Sequence, residues 1–221
     1  SATRVNEAQL IEKGRENLLL QSNQFDTTWG SITTTEVGGQ SGYDGTNDAW
    51  RINLNAGTAL KAVTQTFSAY SGVSTASFYA KAGTHSIVQF GTASQNNVFV
   101  AFDLSNGSVG PLSSLAIDAS IISVGGGWYR IQVAFQALGT AGFVIAAVDS
   151  LSATRFPSTS STGDFYIQDA QLEQGLAATS VITTGAGTVQ AGLLENTPRL
   201  DYSGGATCPS LLLEPSRTNL V

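Results

Sequence analysis

The sequence predicts an all-β protein folded as a two-sheet antiparallel β-sandwich. Charged residues are only 12% of the 221 residues, about half the share of an ordinary soluble domain, whereas surface helices need Glu, Lys and Arg. Apolar and polar residues alternate with a period of two in many short segments. Glycine, serine and asparagine stand between those segments as turn formers. Together these observations favour strands whose polar faces carry hydroxyls and amides.

The alternation predicts a series of strands in chain order. Residues 77–81 (SFYAK) alternate strictly, and the breaker at 125–127 (GGG) precedes a second alternating run that begins at Trp128. The dipeptide at 106–107 (NG) supplies a turn. Spacing of this kind, with no convincing helical period between residues 17 and 183, fits a two-sheet sandwich. The predicted strands are 31–37, 49–54, 63–67, 77–81, 86–90, 98–104, 128–135, 143–148 and 165–168.

Three parts are predicted along the chain. Residues 1–16 form an N-terminal connector, 17–183 form the β-sandwich module, and 184–221 form a linker that leads into a further repeat. The repeat is inferred because the segments LIE and RENLL near the N-terminus are echoed by LLE and RTNLV near the C-terminus. This pattern predicts neighbouring copies of the same module, and a homo-oligomer is also possible. The alternative is that such short matches arise by chance.

Charge and cysteine content exclude several classes of function. The 10 basic and 16 acidic residues give a net charge of −6 without a basic cluster, so binding to nucleic-acid phosphates is disfavoured. Cys208 is the single cysteine and cannot form an internal disulfide. There is no apolar run of about 18 residues and no basic-plus-apolar leader, so we expect neither membrane insertion nor a retained signal peptide.

Candidate catalytic groups are few. His85 is the single histidine and lies in a turn, so it is interpreted as a solvated loop residue and not as part of a Ser-His-Asp site. One His and one Cys cannot supply a zinc ligand set. Glycoside hydrolysis needs only two carboxyl groups at about 5 to 10 Å, which leaves a hydrolase as an alternative to the predicted non-enzyme. The candidate acids are Asp103, Asp118, Asp149, Asp164, Asp169 and Glu173.

Aromatic and amide side chains form the candidate binding surface. Sugar rings stack their C–H faces on aromatic rings, and their hydroxyls pair with amide and charged groups. On the strand that begins at Trp128, the face opposite the apolar one carries Trp128, Arg130 and Gln132. The alternative is that the aromatic residues of this surface are packing residues. If neighbouring strands share the sheet, the further members are Tyr79, Lys81, Gln89, Tyr166 and Gln168, and Trp50 is a second candidate contact.

Residues near both ends of the predicted module form one recognisable pattern: 17–19 (NLL), 22–23 (SN), Phe25, Trp29, 165–169 (FYIQD) and Leu172. These residues resemble the first and last strands of jelly-roll carbohydrate-binding modules of the cellulose- and xylan-binding type. The resemblance implies a jelly-roll-like sandwich and a glycan ligand.

The same resemblance implies a structural Ca²⁺ at Asp169, with help from Asn23. Calcium takes oxygen ligands, and an Asp with backbone carbonyls suits it. In this sequence Gln168 precedes Asp169, where those modules more often have two acids. No other cofactor is expected.

A second set of phrases runs along nearly the whole chain: 77–83 (SFYAKAG), 102–104 (FDL), 127–130 (GWYR), 170–173 (AQLE), 178–180 (ATS), 198–203 (PRLDYS) and 211–220 (LLLEPSRTNL). In these phrases the chain resembles the repeated modules of tailed-phage structural and tail-fibre proteins. This second resemblance implies a viral or prophage origin, a tandem arrangement, and an extracellular or virion-associated location.

The sequence therefore predicts a non-catalytic module that binds a neutral polysaccharide, β-glucan-like or xylan-like, as one unit of a multi-module phage-derived protein. A single shallow site binds weakly, and linked copies raise the apparent affinity through local concentration. The first alternative is a purely structural tail-fibre or capsid module, which needs only a stable sandwich and edges that can pair. The second alternative is a polysaccharide hydrolase.

Overall fold

Two six-stranded antiparallel sheets, packed against each other around one apolar core, form the main body of the molecule. The computed structural model describes residues 3–5, 11–13, 15–67, 71–94, 97–191, 200–201 and 210–211. The predicted all-β sandwich is confirmed. Within these ranges the chain forms strands and turns, and no helix that could cross a membrane is found.

The strands are numbered β1 to β18 in chain order. Most contain three to twelve residues and are joined by short turns. Their bounds are β1 Thr3–Val5, β2 Ile11–Lys13, β3 Arg15–Asn17, β4 Gly30–Ile32, β5 Thr34–Gln40, β6 Ala49–Leu54, β7 Ala62–Phe67, β8 Ser71–Ala82, β9 Ile87–Ser94, β10 Phe99–Asp103, β11 Ser108–Val109, β12 Ala116–Gly125, β13 Trp128–Leu138, β14 Ala141–Ala147, β15 Gly163–Gln174, β16 Val189–Ala191, β17 Leu200–Asp201 and β18 Ser210–Leu211.

The first sheet has the strand order β12-β13-β8-β15-β6-β5, and the second has the order β11-β10-β9-β14-β7-β4. Strands that are neighbours in these orders pair antiparallel. Each sheet turns one face to the shared core and the other, here called its outer face, away from it. Two connections matter for function: residues 41–48 join β5 to β6, and residues 148–162 join β14 to β15.

The chain divides into two compact units. Asn17–Val189 contains both six-stranded sheets. The other unit, residues 1–16 and 190–221, includes the antiparallel pairs β1–β2 and β17–β18. The C-terminal copy of the echoed segments, 193–195 and 217–221, lies outside the described residues, which include most of the N-terminal copy. The tandem arrangement and the module boundaries at 17 and 183 therefore stay predictions.

Period-two alternation builds the core. In β13, Ile131, Val133 and Phe135 all point inward and are fully buried. They meet aromatic rings from the second sheet: the ring centre of Phe90 lies 5.8 Å from that of Phe135 and 4.9 Å from that of Phe143. Burial of each such side chain stabilises the fold by roughly 1.5–3 kcal/mol. The alternation read from the sequence is thus the pattern that joins the two sheets.

The two tryptophans outside β13 belong to this core. Trp29 and Trp50 are 6% and 8% exposed. The Trp50 indole Nε1 donates a hydrogen bond to the Asn23 carbonyl oxygen at 3.0 Å. Both tryptophans are therefore core residues, and Trp50 as a ligand contact is wrong because its ring points between the sheets.

Each predicted strand segment falls on observed strands, and β12 is the one long strand of the two sheets that was not predicted. Its sequence, AIDASIISVG, has no clean alternation because Ile121 and Ile122 are both apolar and the pairing with β13 is irregular near each end. The predicted segment 31–37 is also divided into β4 and β5 at Thr33, whose φ of 51° bends the chain. Irregular pairing and bends of this kind interrupt the period of two, so alternation in the sequence does not reveal them.

Asn17 closes the module where its first and last segments meet. Its side chain is fully buried. The amide Nδ2 donates to the carbonyl oxygens of Ile182 at 2.8 Å and Ala170 at 3.2 Å. The amide Oδ1 accepts from the backbone N–H groups of Leu19 and Leu172, both at 3.1 Å. One side chain thus satisfies four backbone groups of buried residues.

Replacement of Asn17 by alanine is expected to lower the free energy of unfolding by about 2–4 kcal/mol, because buried backbone groups lose their partners. Denaturant unfolding of the full chain measures this loss. The exposed Asn47→Ala is the matched control, with an expected change below about 0.5 kcal/mol. A similar small change for Asn17→Ala would contradict the role given to this side chain.

Candidate functional site

The outer face of the first sheet brings most of the predicted platform together. The sequence left open whether the relevant strands share a sheet, and for β13, β8 and β15 they do. Arg130 lies opposite Tyr79, and on the other side of β8 Tyr79 lies opposite Gln168. The members on this face, here called the aromatic platform, are Trp128, Arg130, Gln132, Tyr79, Lys81, Tyr166 and Gln168.

Tyr43, from the loop of residues 41–48, covers the centre of the aromatic platform. Its ring stacks on the Tyr79 ring with 3.5 Å between centres and 5° between planes. It also makes an edge contact with Trp128 at 6.5 Å. Tyr79 is consequently 8% exposed and Trp128 only 3%. The expectation of an exposed stacking surface is wrong for these two residues, and the packing alternative describes them.

Gln168 holds the Tyr43 loop in place. Its side chain is fully buried, and its Oε1 accepts a hydrogen bond from the backbone N–H of Tyr43 at 3.1 Å. Its Nε2 donates to the carboxylates of Asp48 at 2.7 Å and Asp44 at 3.3 Å. The predicted role of Gln168 as a glycan contact does not fit this burial. Its amide fastens a cover over the platform.

The Tyr43 hydroxyl donates to Asp169 Oδ2 at 3.0 Å. Asp169 lies in a β-bulge with a φ of 51°. Burial raises the pKa of the Asp169 carboxyl to about 6, although the hydrogen bond from Tyr43 opposes the rise. The nearby carboxylates of Asp48 and Asp44 raise this pKa further. Burial also raises the pKa of the Tyr43 hydroxyl above its usual range.

The residues implied as calcium ligands are adjacent, but their oxygens are engaged. Asn23 Oδ1 accepts from the backbone N–H of Asp169 at 3.1 Å, and Asp169 Oδ2 accepts from Tyr43. A donor, Gln168 Nε2, lies between Asp44 and Asp48, where a cation would require oxygen ligands. Among the described residues, no group of three or more His, Cys, Asp or Glu side chains is arranged to hold a metal ion. The calcium ion stays a prediction.

Residues 179–181 cover a further part of the platform, beside Arg130. The Arg130 guanidinium donates to the Thr179 carbonyl oxygen and lies 5.6 Å from the centre of the Tyr79 ring. Glu173 Oε2 accepts from the backbone N–H of Thr179 at 2.9 Å. Arg130 is therefore used to hold the chain's own segment. Among the predicted platform members, Arg130, Lys81, Gln132 and Tyr166 remain half-buried.

Gln89 lies elsewhere, on β9 of the second sheet. It is fully buried. Its Oε1 accepts from the backbone N–H of Phe156 at 2.8 Å, and its Nε2 donates to the carbonyl oxygen of Thr154 at 3.2 Å. Its assignment to the aromatic platform is wrong, because the sequence could not tell which sheet β9 joins. Gln89 instead anchors the connection between β14 and β15.

This anchored connection forms one wall of a concavity on the outer face of the second sheet, here called the Phe156 pocket. Phe156 has a φ of 50°, and its ring packs directly on Gly91, where an added Cβ would lie only 2.6 Å from the ring. On the floor of the pocket, Gly142 and Ala93 also pack closely, because a Cβ added to Gly142 would lie 2.9 Å from the Ala93 Cβ. The volume is 290 Å³, and the lining residues are Ile32, Leu60, Thr64, Thr66, Ala93, Thr140, Ala141, Gly142, Val144 and Phe156.

The lining of the Phe156 pocket combines one aromatic ring, aliphatic groups and three threonines, and it contains no charged residue. This site was not predicted from the sequence. Phe156 follows a polar turn and lies in no alternating segment, while the threonines of β7 resemble an ordinary solvated strand face. The available indication was the set of small residues on β9 and β14, which leaves room above the sheet.

The candidate catalytic acids mostly support their own loops. The Asp149 carboxylate accepts from the hydroxyls of Ser161 at 2.6 Å and Thr159 at 2.7 Å. The hydrogen bond from Ser161 lowers the pKa of Asp149, with burial opposing this effect. His85 is buried, not solvated as predicted, and its Nε2 lies 2.9 Å from the Ile87 carbonyl oxygen. Asp103 and Asp164 likewise accept hydrogen bonds from neighbouring loop residues.

Comparisons with known proteins give matches of structure only. No protein-family model matches the sequence, and no curated protein matches it. The enzymatically active domain of tailspike protein 4 from bacteriophage CBA120 is similar, with 16% identity, a TM-score of 0.42, and coverage of 71% of this chain but 21% of that one. The module TmCBM61, solved with β-1,4-galactotriose, has 10% identity, a TM-score of 0.43, and coverage of 72% and 99%. At these values neither assigns a function or a residue here.

The raised pKa of Asp169 predicts that stability falls as the pH rises. The folded chain holds this proton up to about pH 6, whereas the ordinary pKa is 3.8. The protonated Asp169 carboxyl therefore makes its full contribution to the free energy of unfolding below pH 3.8, and this contribution is lost as the pH rises through 6. The loss is on the order of 2 kcal/mol. Asp169→Asn should remove this loss and be more stable than wild type at neutral pH. Denaturant unfolding at several pH values, with EDTA present, measures the difference, and the exposed Asp26→Asn should behave as wild type.

The same variant tests the implied calcium ion. If Asp169 is a ligand, added Ca²⁺ raises the melting temperature of wild type and leaves Asp169→Asn unchanged, because only the folded chain binds the ion. No shift of the wild-type melting temperature by Ca²⁺ would contradict the ion. A stability of Asp169→Asn below that of wild type at neutral pH, with EDTA present, would contradict the pKa argument.

Proposed function

We propose that this protein is a non-catalytic module that binds a neutral polysaccharide at the Phe156 pocket. The observation that carries the proposal is the concavity itself: an aromatic ring and the side chains of Thr64, Thr66 and Thr140 line one space of 290 Å³. This volume is near the lower limit of ligand sites, roughly 300 Å³. It suits one or two sugar units of a chain that continues across the sheet.

The chemistry of the lining suits a sugar better than an ion or a lipid. The Phe156 ring can stack on the apolar C–H face of a pyranose. Threonine hydroxyls both donate and accept, as sugar hydroxyls require. The lining contains no charged residue, and the Arg155 guanidinium, which lies 5.2 Å from the centre of the Phe156 ring, already donates to the Thr92 carbonyl oxygen at 3.1 Å. A neutral polysaccharide is therefore the proposed ligand class.

The non-catalytic role, the glycan type and the biological setting are parts of the same proposal. The pocket lining includes no Asp, Glu or His, so no acid and base pair can flank a bound glycosidic bond there. The choice of a β-glucan-like or xylan-like polymer, and of a multi-module phage-derived protein outside the cell or on the virion, rests on the sequence resemblances. Neighbouring modules would raise a weak affinity through local concentration.

A purely structural module is the second candidate. The covered aromatic platform favours it, since Tyr79 and Trp128 are used for internal packing. Such a module would need no ligand, and the Phe156 pocket would then be an incidental gap beside the β14–β15 connection. Measured glycan binding distinguishes the two candidates.

Affinity electrophoresis with soluble β-glucans, xylans and mannans tests the proposed function. We expect retardation by at least one polymer. Phe156→Leu keeps an apolar side chain without the ring, and Thr66→Val keeps the shape without the hydroxyl. Each should weaken binding about tenfold, because a stacking contact or a hydrogen bond is lost.

Tyr166→Leu is the control on the other sheet and should bind as wild type. If no polymer retards the protein, the proposal is contradicted and the structural module is favoured. Loss of binding in Tyr166→Leu, with Phe156→Leu unchanged, would move the site back to the aromatic platform. Release of reducing sugar from any polymer would show a hydrolase.

A further inference from the structure

The four sheet edges of the sandwich differ in how they are protected. In the second sheet the edge strands β11 and β4 have only two and three residues. In the first sheet the edge strand β5 carries Glu36 and a register irregularity beside Gly39. Short strands, charges and bulges are the usual means by which an edge avoids pairing with another chain. Three of the four edges therefore have a recognisable protection.

The fourth edge, β12, lacks these means along most of its length. It has ten residues, and Asp118 is its one charged residue. Its irregularities are confined to the pairs at Ala116/Asp118 and Ser123/Gly125, which leaves residues 118–123 regular. Among the described residues, no strand pairs with its other side. A row of backbone N–H and C=O groups is therefore available for pairing.

The side chains of β12 are as open as its backbone. Ile117, Ile122 and Val124 are 48%, 51% and 40% exposed. Even Ala119 and Ile121, which pack against the core cluster, are only half-buried. Water therefore reaches residues of β12 that would be fully covered in a central strand. A strand laid beside β12 would satisfy the ladder and cover these apolar groups together.

A second copy of this chain matches that edge. In an antiparallel pair about a two-fold axis, opposite residues face the same side of the sheet. A register centred on Ser120 places Asp118 opposite Ile122 of the second copy, and a register centred on Ile121 places Asp118 opposite Val124 of the second copy. Neither sets one acid against the other, so the net charge of −6 does not concentrate at the contact. The strand is self-compatible in both registers.

We propose that β12 pairs antiparallel with β12 of a second copy, so that the first sheet of one copy and the first sheet of the other form one continuous sheet. The partner is identified by the unpaired ladder, by the exposed isoleucines and by the nearly uncharged strand. The proposal is independent of glycan binding, since β12 and the Phe156 pocket lie on different sheets. If both proposals hold, the dimer carries two glycan sites and gains avidity on a polymer.

Light scattering after size-exclusion chromatography of the full chain, over a concentration series, tests the dimer. The expected mass rises from 22.9 kDa for one chain towards twice that value. Ile122→Asp should shift the mass back to one chain, because facing strands would then carry four acids in a short segment. Leu176→Asp, at a position 68% exposed on a loop, is the control and should remain dimeric.

A second readout does not depend on a variant. Hydrogen exchange of wild type should show that the amides of residues 118–123 that do not pair with β13 become more protected as the concentration rises, while the amides of β5 stay unchanged. A single-chain mass at every concentration overturns the proposal, and so does a dimer that Ile122→Asp leaves intact while the variant keeps its melting temperature. A trimer also overturns it, because a two-fold strand pair joins only two copies.

Discussion

The stack of Tyr43 on Tyr79 is the contact on which the assignment of the site depends. Two parallel rings 3.5 Å apart make the kind of van der Waals contact that a sugar would make with an aromatic surface. The first sheet therefore has the chemistry of a glycan platform but uses it internally. Gln168 and Asp169 fix the arrangement by holding the Tyr43 backbone and hydroxyl. With the centre of that face covered, the Phe156 pocket on the other sheet is the more open candidate site.

The second sheet has the opposite character. Its outer face is built from small residues such as Gly91 and Gly142, so the β14–β15 connection can lie close to the strands. Gln89 fastens that connection from below through Phe156 and Thr154. The cover is partial, and the space that remains is the Phe156 pocket. In each sheet a buried glutamine amide thus positions an aromatic ring. The Tyr43 ring covers the centre of the first sheet's outer face, whereas the Phe156 ring leaves a pocket open on the outer face of the second sheet.

The sequence predicted the sandwich because alternation and low charge report directly on strands with one buried face. It also predicted that Trp128, Arg130, Tyr79 and Gln168 share a face, since strand parity fixes this once β8, β13 and β15 are neighbours. Parity cannot show what lies above a face. Tyr43 and Phe156 act from loops whose paths are set by long-range contacts, with partners 36 and 67 positions away from them in the chain. For the same reason the sheet of Gln89 and the open edge at β12 appear only in the folded molecule.

Binding of a glycan to the second sheet, and not to the aromatic platform, can be tested by two-dimensional amide NMR. The labelled full chain is titrated with a soluble oligosaccharide of the polymer that retards it most. Binding at the Phe156 pocket predicts that the shifted signals belong to Thr64, Thr66, Gly142 and Phe156, while the indole signal of Trp128 stays in place. Shifts at Trp128 and Tyr166, with the second sheet unchanged, would contradict it.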